Sequence, residues 1–198
     1  VDAEEGNHSG SLIRFVNRLA DVIAPDHPHI AIDTLAYQYT RKPPCVTRPR
    51  PNVIVRLCTI ECCFAHPLET CGEKMLLKSS GGTGASLVED LTAWGRICSR
   101  VYVWDYVTNF ANYVLPFPNL GVLGPNLRLF ARNGVKGVFE QGAKPPGGGG
   151  EFAELRAWVL AKLLWNPAQD ADALIAEFMH GVYGRGAPAL LRYIAALR

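Results

Sequence analysis

The fold is decided by residues 100–140, which read RVYVWDYVTNFANYVLPFPNLGVLGPNLRLFARNGVKGVFE. Short apolar runs begin and end this stretch, at 100–107 and 135–140, and residues 120–132 between them carry the apolar spacing of a helix. Asn133-Gly134 follows this helix and is typical of a left-handed stop. A strand–helix–strand unit of this kind predicts parallel strands that are covered by helices.

The rest of the chain extends the alternation of helices and strands. We predict further strands at 29–37 and 52–57, and helices at 12–24, 86–98, 151–165, 170–183 and 187–197. In the first of these helices, steps of three and four residues predict a buried face made of Leu12, Phe15, Val16, Leu19, Val22 and Ile23. We therefore expect a single α/β domain over 1–198, with βα units in 1–145 and extra helices in 151–198.

The composition excludes several classes of protein. With 198 residues, 48% hydrophobic and 19% charged, the chain can bury a core, and disorder is not expected. A formal net charge of +2 does not provide the excess of positive charge that is typical of nucleic-acid-binding proteins. No apolar run approaches the ~20 residues of a membrane span. The N-terminus, VDAEE, has neither a signal peptide nor a starting Met, so we expect a processed chain or a piece of a longer protein.

Neither the cysteines nor the glycine-rich segments match a known cofactor motif. Four of the six cysteines lie between residues 58 and 71, but their spacing lacks the paired knuckles of zinc sites. Buried thiols, or a local disulfide such as Cys63 with Cys71, fit better, and we predict no metal and no cofactor. Gly81–Ser86 lacks the Lys-Ser/Thr of a phosphate loop. We interpret Gly147–Gly150 as the flexible tip of a loop that would act as a lid over the edge of the sheet where the strands end.

The ends of the predicted strands carry acids and aromatic residues. The carboxyl ends of parallel strands meet at one edge of a sheet, where ligands bind. Paired carboxylates can hydrolyse a glycosidic bond as acid and base or as acid and nucleophile, and aromatic rings stack on sugars. We predict Asp105 and Glu140 as the catalytic pair, with Glu61 as a third candidate. The predicted substrate-binding residues are Tyr37, Tyr39, Arg41, His66, Trp104, Tyr106, Asn109 and Gln141.

Each of these residues also has a structural interpretation. A strand-end carboxylate can cap a helix or pair with an arginine such as Arg56 or Arg100, and Trp104 can fill core. Trp94, Trp158 and Trp165 lie on predicted helices, where packing is the expected role. His66 in a loop can simply be solvated.

Several blocks of the sequence resemble a bacterial family, the domain of unknown function 4838. The likeness covers nearly the whole chain, and the Trp-Asp-Tyr and Phe-Glu-Gln-Gly blocks are its most specific parts. The blocks that carry it are Glu4–Gly10, Leu35–Tyr37, Ile60–Cys62, Tyr102–Phe110, Gly137–Gly142 and Ala161–Pro167.

The resemblance implies a (β/α)8 barrel similar to that of alpha-glucuronidases and related glycoside hydrolases. Such proteins are usually longer and often exported. Four predicted strands are half of a closed barrel, so we expect the C-terminal part of a barrel that needs a missing N-terminal half or self-association. In many such barrels the general acid lies on the fourth strand, so the chain alone is expected to be catalytically incomplete. The expected substrate is an oligo- or polysaccharide; a non-catalytic carbohydrate-binding domain and a scaffold remain alternatives.

Overall fold

The computed structural model describes residues 1–71, 86–143 and 149–197, so the glycine-rich residues 81–85 and 147–148 lie outside the described part of the chain. The predicted alternation of helices and strands is confirmed there, with most boundaries shifted by a few residues. The elements are α1 (Asp2–Glu5), α2 (Ser9–Ile23), β1 (Ile32–Ala36), β2 (Val53–Cys58), α3 (Leu87–Ile97), β3 (Val101–Tyr106), α4 (Leu123–Arg132), β4 (Gly137–Gln141), α5 (Ala153–Trp165), α6 (Ala171–Tyr183) and α7 (Ala187–Leu197). Short 3-10 turns lie at Gln38–Thr40 and Gly184–Gly186.

Within the described residues, the four strands form one parallel sheet in the order β1-β2-β3-β4, as the alternating pattern predicts. Ile32 is opposite Val53 in the first pair of strands, and Val55 is opposite Val101 in the second. Each new strand is added on the same side of the sheet as the chain advances, so the order never reverses.

The two faces of the sheet differ in burial. Val53, Val55 and Leu57 of β2 alternate with partly exposed residues, and each of these three is at most 1% exposed. The opposite face carries Leu35 and Phe139, which are 40% and 46% exposed. It also carries the half-buried residues Ile54, Arg56, Tyr102 and Trp104. One face is therefore core, and the other is more open and rich in aromatic residues.

The chain divides into two compact units. The first contains α1, α2, β1, β2, α3 and most of β3, and α2 packs on β1 and β2. The second contains most of α4 together with α5, α6 and α7, where α6 contacts both α5 and α7. Its core includes Leu155, Val159, Leu163, Met179 and Ile194, all at most 4% exposed. Among the described residues, no helix has the length and apolarity that crossing a bilayer requires.

The predicted buried face of α2 is wrong in part. Phe15, Leu19 and Val22 are 60%, 41% and 74% exposed. The face that packs carries smaller or polar residues, namely Ser9, Gly10, Ile13, Val16, Asn17 and Ala20. Asn17 accounts for this orientation, because its amide donates to the Arg48 carbonyl at 2.8 Å and accepts from the Arg50 N–H at 2.9 Å. These bonds turn the helix toward the proline-rich segment that links β1 to β2.

The predicted packing role of the helical tryptophans holds for Trp94 and is wrong for Trp165. Trp94 is fully buried, whereas Trp165, the last residue of α5, is 91% exposed. Trp158 is half-buried between the Phe178 ring, 5.6 Å away, and the Lys162 ammonium, 5.0 Å away.

Candidate functional site

Asp105 lies near the end of β3 and is held from the neighbouring strand. The Thr59 N–H donates to the Trp104 carbonyl at 3.1 Å, which continues the β2–β3 pairing past the end of β2. The Thr59 hydroxyl then donates to Oδ1 of Asp105. Asp105 is only 4% exposed. The carboxylate is therefore positioned by a hydrogen bond at the edge of the sheet where the strands end.

Glu61 belongs to a buried ionic network. Arg41 donates from Nη1 to Glu61 Oε2 at 3.2 Å and from Nε to Asp90 Oδ2 at 2.8 Å. All three side chains are at most 7% exposed. Burial raises the pKa of Asp90, and the Arg41 guanidinium opposes that rise. One cation thus compensates two buried carboxylates, which gives Glu61 a structural partner.

Arg41 was predicted to bind substrate, but the structure places it inside this network. Its carbonyl also accepts a hydrogen bond of 2.7 Å from the Trp94 indole N–H. Arg56, which the sequence suggested as a partner for a strand-end acid, instead pairs with Asp33 of β1. Glu61 Oε1 is buried and has no hydrogen-bond partner among the described residues. That oxygen is the atom of the network that a ligand or water would satisfy.

Tyr37 and Tyr39 line a separate cleft of about 470 Å³. Tyr39 is 61% exposed and meets the His8 ring edge-on at 5.9 Å. His8 Nδ1 lies 2.6 Å from Asp2 Oδ2, and both residues line the cleft. Of the described residues that line it, none is a predicted catalytic acid. Sequence reasoning missed Asp2 and His8 because neither follows a strand.

Glu140 lies in the second unit, where it lines a cavity of about 250 Å³ with Thr108, Glu151 and Arg156. Glu151 accepts hydrogen bonds from the Phe117 N–H at 3.0 Å and from the Tyr193 hydroxyl at 2.5 Å. Two carboxylates therefore line one cavity within a single unit.

Arg156 is the cation of this cavity. It is 7% exposed and donates to Asn119 Oδ1. Burial lowers the pKa of Arg156 to about 10, while the charge of Glu151 opposes that fall. Sequence reasoning missed both Glu151 and Arg156. The sequence did contain a signal for Arg156, because this charged residue lies on the apolar face of α5, next to Leu155 and one turn before Leu160.

The aromatic residues at the strand ends contact other aromatic rings. Trp104 meets Phe139 at 4.8 Å in an edge-on contact, and Tyr106 stacks on Phe64 at 5.8 Å. The side-chain oxygen of Asn109 accepts hydrogen bonds from the N–H groups of two residues that follow it in a turn. The convergence of Glu61, Asp105 and Glu140 on one pocket stays a prediction.

The loop after β2 contains the residues of the described chain that could hold a metal. His66 was predicted to bind sugar; it is exposed and lies beside two cysteines. One ligand atom from each of Cys63, His66 and Cys71 lies within 4.8 Å of the other two. All six cysteines are thiols in the structure.

Gln141, another predicted substrate-binding residue, ends β4, and its backbone carbonyl accepts a hydrogen bond from the Val107 N–H at 3.1 Å.

The comparison with known protein families found one matching family model. The family model described as Domain of unknown function (DUF4838) matches residues 1–195. No curated protein and no solved structure matches the chain. Because the match covers nearly the whole sequence, the chain belongs to this domain-of-unknown-function family.

Proposed function

We propose that this chain is the C-terminal part of a glycoside-hydrolase-like (β/α)8 barrel that acts on an oligo- or polysaccharide. The strand order β1-β2-β3-β4 supports the barrel type. Crossovers between parallel strands are almost always right-handed, so a strand order that never reverses would place the connecting helices on one face, as in a barrel. A doubly wound sheet would instead reverse its strand order at a switch point. The alternation of buried and open faces in β2 agrees with this arrangement.

Asp105 and Glu140 are the proposed acid/base or nucleophilic pair, and Glu61 is the third candidate. The observation that carries the proposal is the placement of Asp105, buried at the end of a parallel strand and oriented by Thr59. Glu140 adds a carboxylate that lines a cavity. One acid would protonate the leaving oxygen, and the other would attack the sugar or activate water, so this chemistry needs no cofactor.

The partner that would complete the barrel is a second proposal. Four strands close only half of a (β/α)8 barrel, and the aromatic-rich face of the sheet is partly exposed. We expect either a separate half-barrel or a second copy of the chain to cover that face. Sedimentation over a range of protein concentrations distinguishes self-association from a monomer that waits for another partner.

A non-catalytic carbohydrate-binding domain is the second candidate function. The Arg41–Glu61–Asp90 network favours it, because an acid engaged in a buried ion pair is less available for proton transfer. Trp104, Tyr102 and Phe139 would then supply stacking surfaces for sugar rings.

Hydrolysis and binding measured side by side separate these functions. The full-length protein, in which the missing half of the barrel is present, is incubated with a panel of oligosaccharides and aryl glycosides while products are followed by mass spectrometry. Binding to the same sugars is measured by calorimetry. Product release supports the hydrolase. Binding without product supports the binding domain, and the absence of both over the whole panel contradicts both proposals.

A further inference from the structure

We propose that the loop after β2 binds a zinc ion through Cys63, His66 and Cys71. The ligand atoms of these residues, two sulfurs and one imidazole nitrogen, lie within 4.8 Å of one another. Thiolate and imidazole are the donors that Zn²⁺ prefers in proteins. The proposal is independent of the hydrolase function, and it replaces the sequence-based prediction that the chain has no metal site.

The distances are close to those of a bound ion. With Zn–S bonds of ~2.3 Å, the ligand atoms of a tetrahedral site lie ~3.8 Å apart. The present separations of up to 4.8 Å need a closure of about 1 Å. Rotation of the side chains supplies such a movement, since Cys63 and Cys71 are half-buried and His66 is exposed.

The backbone already brings His66 and Cys71 close. Pro67 begins a turn in which its carbonyl accepts hydrogen bonds from the Thr70 N–H at 3.1 Å and the Cys71 N–H at 2.9 Å. The Leu68 N–H inside this turn donates to Asn126 Oδ1 at 3.0 Å, and Leu68 is buried. The turn is therefore anchored, and part of the cost of ordering the ligands has been met before metal binds.

This set of donors explains why the usual spacing rules did not detect the site. Paired zinc knuckles place two cysteines a few residues apart in two separate places. Here, one short segment supplies all three ligands in the order Cys-x2-His-x4-Cys. Three protein ligands leave a fourth position for water or a further ligand.

Binding forms two S–Zn bonds and one N–Zn bond and releases the two thiol protons to solvent, without transfer of electrons. Affinity should therefore increase with pH. The competing state is a Cys63–Cys71 disulfide, which the reduced protein cannot contain.

Cobalt substitution tests the proposal directly. The reduced, metal-free protein is titrated with Co²⁺, and then with Zn²⁺ as competitor. We expect one equivalent of Co²⁺ to bind, with thiolate-to-cobalt charge-transfer absorption and the visible bands of a tetrahedral ion, and Zn²⁺ to displace it. Loss of an outer-shell partner alone weakens metal binding by about 10–100-fold. Cys63→Ser, His66→Gln and Cys71→Ser should each weaken Co²⁺ binding by at least about 100-fold.

Cys45→Ser is the matched control, because Cys45 is an exposed thiol outside the cluster, and it should leave the cobalt spectrum unchanged. His66→Gln guards against misfolding, since the His66 side chain is exposed and its loss should not unfold the chain. Reduced protein that binds no stoichiometric Co²⁺ would overturn the proposal. So would a cobalt spectrum that survives all three ligand substitutions, or one that the Cys45→Ser variant loses.

Discussion

Replacement of Arg41 by methionine should strongly destabilise the protein. The Arg41 side chain is 7% exposed, and those of its partners Glu61 and Asp90 are 0% and 4% exposed. Methionine keeps much of the apolar stem but leaves two buried carboxylates without their cation. Breaking a buried ion pair by removing one partner costs about 3–5 kcal/mol. Since whole domains are stable by about 5–15 kcal/mol, this loss would remove a large fraction of the free energy of unfolding.

Urea unfolding followed by tryptophan fluorescence measures this effect, because Trp94 is fully buried and bonds to the Arg41 carbonyl. Arg50→Met is the matched control. Arg50 pairs with Asp21 at 2.8 Å, but both side chains are about half exposed. Exposed pairs contribute about 0–1 kcal/mol, so the control should stay close to the wild type. If Arg41→Met lost no more free energy of unfolding than Arg50→Met, the buried-network argument would be refuted.

The loss should also depend on pH. Burial raises the pKa of Asp90, and without Arg41 the pKa should rise further. When a carboxyl has a higher pKa in the folded state than in the unfolded state, its contribution to the free energy of unfolding is fully present below the unfolded pKa. That contribution is lost as the pH rises through the folded pKa. Arg41→Met should therefore be less destabilised at about pH 4.5 than at about pH 8. Adding Asp90→Asn removes one of the two uncompensated charges and should recover part of the loss.

Three further predictions concern the N-terminal helices and α5. Burial raises the pKa of Glu5, but hydrogen bonds from Thr47, Val46 and Arg14 together outweigh it and lower the pKa from 4.5 to about 2. The contribution of Glu5 to the stability of the wild type is therefore present above about pH 4.5 and is lost as the pH falls toward 2. In thermal melts over this pH range, Glu5→Gln should lose less stability on acidification than the wild type. Gly10→Ala should cost about 1–3 kcal/mol in urea unfolding, because its new Cβ would lie 2.1 Å from Glu5 Cγ; an unchanged midpoint would contradict this packing. Trp165→Ser should change the free energy of unfolding by no more than about 0.5 kcal/mol, since Trp165 is 91% exposed.

Sequence periodicity predicted the strands and helices well where one physical signal dominates. The segment 187–197 is an example, because its apolar spacing and early proline mark a helix whose observed bounds are the same. The strands at 53–58 and 101–106 were also predicted closely, since buried parallel strands are short apolar runs. Periodicity failed for the face of α2. There, the packed side is decided by the small residues Ser9 and Gly10 and by Asn17, whose amide donates one hydrogen bond and accepts another, against the apolar pattern.

The candidate site was less predictable than the fold. A strand-end position predicts that Asp105 lies at the edge of the sheet, but not that Thr59 binds it. The pairing of Arg41 with Glu61 and Asp90 joins residues 20 and 49 positions apart, and no local pattern encodes such distances. The proposed zinc ligands were not predicted from the sequence for another reason. Their spacing is local, but it departs from the paired-knuckle pattern on which recognition from sequence depends.

The rate of sugar release by strand-end variants tests the central claim most directly. On any glycoside that the full-length wild-type protein cleaves, Asp105→Asn and Glu140→Gln in that protein should each lower kcat by about 100-fold or more, since acid–base catalysis contributes about 10²–10⁴-fold. Asp33→Asn is the control, because Asp33 is an exposed strand aspartate that pairs with Arg56. It should retain wild-type kcat. Equal rates for the wild type and both variants of the proposed pair would contradict the account.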